Sequence, residues 1–182
     1  RRERGDDGLA RLAASDVVVV VDVLRFSSTV TTRVAAGGAV PLDAAAHAVS
    51  LNGAAISRAA AALDPAPIVL LGCLRNASAV AEAIADEQRR RGARTSIALI
   101  AGGELVPAEA GAATSRTTRR FAVEDLLGAG AIVDALGVRG IDHTSPEAAA
   151  AGEAFRGLRA ATRHLLAASG SGQELAERGA HD

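Results

Sequence analysis

Val17–Val21 is a run of five consecutive valines that ends on Asp22. β-Branched side chains suit an extended backbone. An uninterrupted apolar run of this length reads as a strand buried on both faces. Ile68–Leu71 and Ile97–Ala101 are further short apolar runs, each followed by glycine, and Ala39–Leu42 is a weaker strand candidate. Between and after them the spacing turns helical. Ser27–Ala35 follows the first run, although its Thr and Val content suits a helix less well. Ala77–Arg91 follows the second, with Asn76 or Ser78 to cap it and Gly92 to end it. Phe121–Leu136 has apolar residues at helical spacing, and Ser145-Pro146 opens a last helix expected to reach about Ala168. Strands alternating with helices predict an α/β protein with a mostly parallel sheet covered by helices.

Composition narrows what such a chain can do. Its 182 residues fit one domain or two small fused subdomains, and at 49% hydrophobic it can bury a core. Trp and Tyr are absent, so that core must be aliphatic. A net charge of -1 gives no sign of a general nucleic-acid or acidic-membrane partner. All 20 basic side chains are Arg, each a bidentate anion binder. A single cysteine, Cys73, excludes an intrachain disulfide. No apolar stretch is long enough to span a bilayer and the opening RRERGDDGLA lacks the apolar core of a signal peptide. A cytoplasmic protein is therefore expected, with its true N-terminus upstream of the opening Arg1.

The residues that could carry chemistry gather after the strands. Asp22 stands at the carboxyl end of a buried strand, where open α/β sheets bind ligands. It could be a magnesium ligand, a phosphoryl-accepting nucleophile or the cap of the following turn. Arg25, Ser27, Ser28 and Thr29 place a guanidinium and hydroxyls at a helix start, which suits an anion. Leu24-Arg25-Phe26-Ser27-Ser28-Thr29-Val30 is echoed by Leu74-Arg75-Asn76-Ala77-Ser78-Ala79-Val80 at Leu, Arg, Ser and Val, as two related strand–loop–helix units would produce. Glu104, after the third run, could face the same crevice or be a polar turn residue. Glu124 shares a helix face with Phe121, Leu127, Gly128 and Ala131, where a carboxylate calls for an Arg or a metal. Glu124 and Asp125 could equally be first-turn partners of the helix dipole. Ser169-Gly170-Ser171-Gly172 fits a second anion nest less well than a helix end followed by a new cap.

Several common chemistries are excluded. Cys73 has Ala79 six positions on, where a tyrosine-phosphatase loop needs Arg. His47, His143, His164 and His181 lack zinc-ligand spacing. No Gly-x-x-x-x-Gly-Lys loop and no Gly-x-Ser-x-Gly elbow occur, and Gly128-Ala129-Gly130 lacks the third glycine of a dinucleotide loop.

Six blocks together resemble the 2-phosphosulfolactate phosphatase (ComB-like) family. They are Asp22–Thr29, Asn52-Gly53, Gly72–Ala77, Ala101–Glu104 (loosely), Glu124–Ala131 and Ser171–Leu175, in the family's order. The resemblance implies a three-layer α/β/α fold with a mostly parallel or mixed sheet and two similar halves. These would be a single domain over 1–182, or subdomains of about 1–62 and 63–182. It also implies Mg²⁺-dependent hydrolysis of 2-phosphosulfolactate to 3-sulfolactate and phosphate, a step toward coenzyme M. Carried over by residue, Asp22 and Glu124 would be catalytic. Arg25, Ser27, Ser28, Asn52, Gly53, Arg75 and Asn76 would bind substrate, and Asp22, Glu124 and Asp125 would hold the metal. The partner would be a small anionic phospho-acid, not nucleic acid or membrane, with a homodimer left open. Relative to the family, a longer segment is expected where only Asp43 to Ser50 intervenes, and a final strand is expected beyond Asp182. Phe26 replaces the usual Ala, which bears on pocket shape. A phosphatase for another small phospho-acid, or a non-catalytic anion-binding module on the same scaffold, are the alternatives.

Overall fold

The computed structural model describes residues 2–4, 9, 14–41, 52–106 and 118–179. Its centre is a parallel sheet of four strands in the order β1-β4-β2-β3: β1 (Arg2–Arg4), β2 (Val17–Val21), β3 (Ile68–Gly72) and β4 (Ile97–Ala101). β2 pairs in parallel on both edges, Val17 with Ile68 and Ile97, Val21 with Gly72 and Ala101. All five valines are buried, as the sequence predicts. Each contributes on the order of 1.5–3 kcal/mol of burial, an upper bound because unfolded chains also shield apolar surface.

The alternation of β2 divides the core in two. Val17, Val19 and Val21 face a cluster built with Ile84 and Ala81 of α3 (Ala77–Arg91) and Ile132 and Leu136 of α4 (Val123–Val138). Val18 and Val20 face Ile56 and Ala60 of α2 (Gly53–Ala61), with Ala98 and Ile100. The result is the three-layer α/β/α arrangement. α2 leads from β2 to β3 across one face and α3 leads from β3 to β4 across the other. The winding therefore reverses between the adjacent strands β2 and β4, the switch point at which such sheets open a crevice at their carboxyl ends.

α1 (Phe26–Ala35) completes a first strand–turn–helix unit, and α3 completes a second. Both turns have the same length, but the units correspond at a spacing of 51 residues, from strand end to strand end and from helix start to helix start. The sequence echo aligns at one residue less. Structurally Asp22 matches Cys73 and Arg25 matches Asn76, so the repeated Leu-Arg pair is out of register by one.

The remaining elements are an antiparallel pair, β5 (Glu104–Val106) with β6 (Thr118–Arg120), and the carboxyl-terminal helices α5 (Pro146–Leu158), α6 (Thr162–Ala168) and α7 (Gly170–Glu177). Ser145 caps α5, its Oγ accepting from the N–H of Ala148. The single helix expected from there to Ala168 is broken by a 3-10 turn at Arg159–Ala161. Ser169 accepts from Gly172 and so starts α7, the capping reading of that segment. Ala39–Pro41 form no strand, and Leu42 lies outside the described residues; Pro41 offers no N–H to a ladder. Among the described residues, no helix is long and apolar enough to cross a membrane.

Glycines let α4 lie close to its neighbours. A Cβ on Gly128 would come within 2.7 Å of Val23 Cγ2 and 2.9 Å of Val21 Cγ1, and one on Gly130 would collide with the Ala151 carbonyl of α5. A backbone carbonyl cannot rotate aside. Gly130→Ala is thus expected to lose about 1–3 kcal/mol to overpacking, outweighing the ~1 kcal/mol that Ala gains in helix propensity. Urea denaturation measures the balance; an unchanged or higher midpoint would show that α4 and α5 do not meet this closely.

Candidate active site at the carboxyl ends of β2 and β4

Asp22 follows β2 directly and is 4% exposed. Its two carboxylate oxygens accept from different segments. Oδ1 takes the N–H of Phe26 at 3.2 Å and Oδ2 the N–H of Gly53, the first residue of α2, at 2.9 Å. The Asp22 N–H donates to Ser27 Oγ, whose hydroxyl in turn donates to the Val20 carbonyl. Ser27 is therefore a latch that closes the turn after β2, with its hydroxyl engaged inside the fold.

Asp125, in the first turn of α4, crosses to the same loops instead of capping its own helix. Its Oδ1 accepts from the N–H of Val23 and its Oδ2 from that of Gly103, both at 2.8 Å. Asp125 thereby ties the turn after β2 to the turn after β4. Burial, reinforced by the nearby Asp22 charge, pushes the Asp125 carboxyl well above the usual aspartate range despite those two N–H donors. Glu124 beside it is 2% exposed, and its Oε1 has no hydrogen-bond partner among the described residues. A buried carboxylate oxygen without a donor is costly. A cation or a bound ligand's proton would relieve that cost.

Glycine makes the walls of the crevice. A Cβ on Gly53 would come 2.6 Å from Phe26 Cδ1 and 2.7 Å from Asp22 Oδ2. One on Gly102 would lie 3.2 Å from Asp22 Cβ and 3.3 Å from Asp125 Oδ2. Gly103 has a φ of +64°. That left-handed turn carries the chain from β4 into β5 while aiming its N–H at Asp125.

The β5–β6 pair closes one side. Glu104 lies opposite Arg120 and Leu105 opposite Arg119, and residues directly opposite share a face. Glu104 and Arg120 both reach α7. The Ser171 hydroxyl donates to Glu104 Oε1 at 2.6 Å, and Arg120 pairs with Glu174 at 2.7 Å. On the other strand face, Arg119 Nη1 donates to the Gly102 carbonyl at 2.9 Å and to Asn52 Oδ1 at 3.3 Å. Half-burial pushes the Glu104 carboxyl up, assisted by the charges of Asp22, Glu124 and Glu174 and opposed by the Ser171 hydroxyl.

The structure brings Asp22, Asn52, Gly53 and Asp125 to one crevice through these bonds, with Glu104 and Glu124 in electrostatic reach. Arg25 is exposed on the turn after β2. Ser28 is half-buried, its carbonyl accepting from Thr32 of α1. Arg75 is exposed and donates to Thr32 Oγ1 at 3.1 Å. Asn76 is occupied within the fold: its Oδ1 accepts from the Cys73 N–H, and its Nδ2 donates to the Leu71 carbonyl and to Thr31 Oγ1. Sequence reading passes over Arg119, Gly102 as a wall and Ser171 as the partner of Glu104. Arg119 and Ser171 act across 67 residues each, a separation that local pattern does not reveal.

Among the described residues, no three His, Cys, Asp or Glu side chains converge on a point that could hold a metal by themselves. That still fits Mg²⁺, which keeps several waters and usually takes one or two carboxylates plus substrate phosphates. The unpartnered Glu124 oxygen is the observation in its favour. A groove of about 840 Å³ lies at the opposite end of the sheet, lined in part by Asp16, Arg94, Ser96 and His143. Asp16, one of the groove's carboxylates, has a structural task. Asp16 accepts from the Ser96 N–H and hydroxyl, both at 2.7 Å, and pairs with Arg91 at 2.6 Å, joining the starts of β2 and β4.

The sequence model of the 2-phosphosulpholactate phosphatase family matches residues 38–182. The chain belongs to that family. This places it among the phosphoric monoester hydrolases. No curated protein matches it. The matched span takes in Asn52, Gly53, the glycine turn after β4, Arg119, Glu124, Asp125 and Ser171. Asp22, Arg25, Ser27 and Ser28 precede it, and Asp22 joins the site through its bond to Gly53.

The upward shift of Glu104 has a testable sign. A carboxyl raised in the folded state adds stability below the ordinary glutamate value of 4.5, and that stability is lost as pH rises through the folded value. Glu104→Gln leaves Ser171 an acceptor without the charge. In urea melts at several pH values, the variant should gain on the parent as pH is raised from about 4 to 7; a constant or opposite difference would refute the shift.

Proposed function

We propose that this protein is a Mg²⁺-dependent phosphatase for a small phosphorylated acid, with 2-phosphosulfolactate, giving 3-sulfolactate and phosphate, as the favoured substrate. The observation that carries the reading is Asp22 itself. It is a buried carboxylate held by two backbone N–H groups at the switch point of a family-assigned phosphatase fold. Such pre-orientation suits a group that must present its charge in one direction.

Asp22 and Glu124 are the residues to hold the cation, with Asp125 beside them fixing the two turns. Mg²⁺ bound there would supply neutralisation of the phosphoryl oxygens. Asp22 serves either as that ligand or as the nucleophile toward phosphorus. Glu124, whose Oε1 is uncommitted, can also take or give the proton that accompanies water attack and release of the hydroxy acid. Arg25 and Arg75, exposed on the turns after β2 and β3, offer forks for phosphate, sulfonate or carboxylate oxygens. The backbone at Asn52-Gly53 forms the adjoining wall.

Asp22→Asn should lower Mg²⁺-dependent phosphate release by at least about 10²–10³-fold while the far-ultraviolet circular dichroism stays native. Activity near the parent level in a folded variant would sink the assignment. A phosphate-release screen over phosphorylated hydroxy acids, with Mg²⁺ and with a chelator, should show metal-dependent turnover, strongest for 2-phosphosulfolactate. Silence across the panel, with sulfonate or phosphate binding retained, would favour an anion-binding module on the same scaffold.

A further inference from the structure

We infer that Arg119 is a positioning residue that sets the direction of the Asp22 carboxylate through the backbone on both sides of it. The inference rests on the role proposed for Asp22. Its observations are separate. Arg119 leaves β6 and spans two segments with one nitrogen, donating to the Gly102 carbonyl after β4 and to the Asn52 side chain before α2. Each of those segments abuts Asp22. The Gly53 N–H that follows Asn52 donates to Asp22 Oδ2, and Gly102 stands with its α-carbon against the Asp22 side chain, where even a methyl group would be tight. The Gly102 N–H is itself fixed to the Val21 carbonyl at 2.7 Å, one residue before Asp22.

The geometry explains why this position carries an arginine. Asn52 stands at the start of α2 without capping it by its side chain. Its Oδ1 instead accepts from the guanidinium, so the orientation of the first turn of α2 is referred to β6 and β4. The two N–H bonds of the planar Nη1 group hold two acceptors at a fixed angle, and a rotating ammonium holds them less rigidly. With the fork removed, Gly53 is free to shift its N–H relative to Asp22, and small misplacements of a reacting group are costly.

The test uses the full chain labelled with ¹⁵N-glycine, free of metal, as parent, Arg119→Gln, Arg119→Lys and Asp22→Asn. The Gly53 amide in Arg119→Gln should move toward its position in Asp22→Asn and exchange its hydrogen about tenfold faster or more, with Lys between Gln and parent. The Gly92 amide at the far end of α3 serves as the reference and should stay in place. On the phospho-acid that the parent hydrolyses, kcat for Arg119→Gln should fall about 10²-fold with KM within about threefold, and Lys should recover part of it. An unmoved Gly53 amide overturns the inference, as does an unchanged kcat or a loss confined to KM. If the parent releases no phosphate, the amide measurement decides the positioning role by itself, and the failure belongs to the proposed function.

Discussion

Everything at the carboxyl edge of this sheet depends on taking carboxylates out of water and returning hydrogen bonds to them from the backbone. Among the described residues, Asp22 accepts from the N–H groups of Phe26 and Gly53, and Asp125 from those of Val23 and Gly103. Those donors come from the turn after β2, the start of α2 and the turn after β4. Each carboxylate is thus a joint as well as a charge. Losing either leaves buried donors unsatisfied, at a cost of about 1–3 kcal/mol each. The joints work because glycine stands at three of the contact points. Gly53 lets the backbone approach Asp22 closer than a side chain would permit, Gly102 leaves room in which a methyl group would be tight, and Gly103 supplies a left-handed turn.

The charges are less balanced than the hydrogen bonds. Burial raises Asp125 and Glu104, and their neighbours are other acids. Three arginines near the site have partners within the fold: Arg120 bonds Glu174, Arg75 a threonine, and Arg119 a carbonyl and an amide oxygen.

Much of the fold is legible in the sequence because its elements are locally consistent. β-Branched valines extend, Ala77, Val80, Ala81 and Ile84 repeat at helical spacing, and Gly92 ends α3 in the left-handed region. The strand-end position of Asp22 is legible for the same reason. What escapes is whatever depends on distant pairing. β5 and β6 are only three residues each, too short for periodicity or propensity to mark them before they meet. Arg119 and Ser171 gain meaning only from that pairing. Asn76 and Ser27 show the converse. Their residue types fit anion binding, and in the structure they bond backbone atoms of the preceding strand and turn.

The shift of one residue between the sequence echo and the structural repeat places different side chains at equivalent positions of the two turns. Two turns of one length stand side by side at the ends of β2 and β3, but the place held by a carboxylate in one is held in the other by the buried thiol of Cys73. Length is duplicated and side-chain chemistry is not. The second turn braces the first: Thr31 and Thr32 of α1 bond Asn76 and Arg75 across the gap. A pseudo-symmetric scaffold thus presents a buried carboxylate at one turn and a buried thiol at the other, with Arg75 of the second turn tied back to α1.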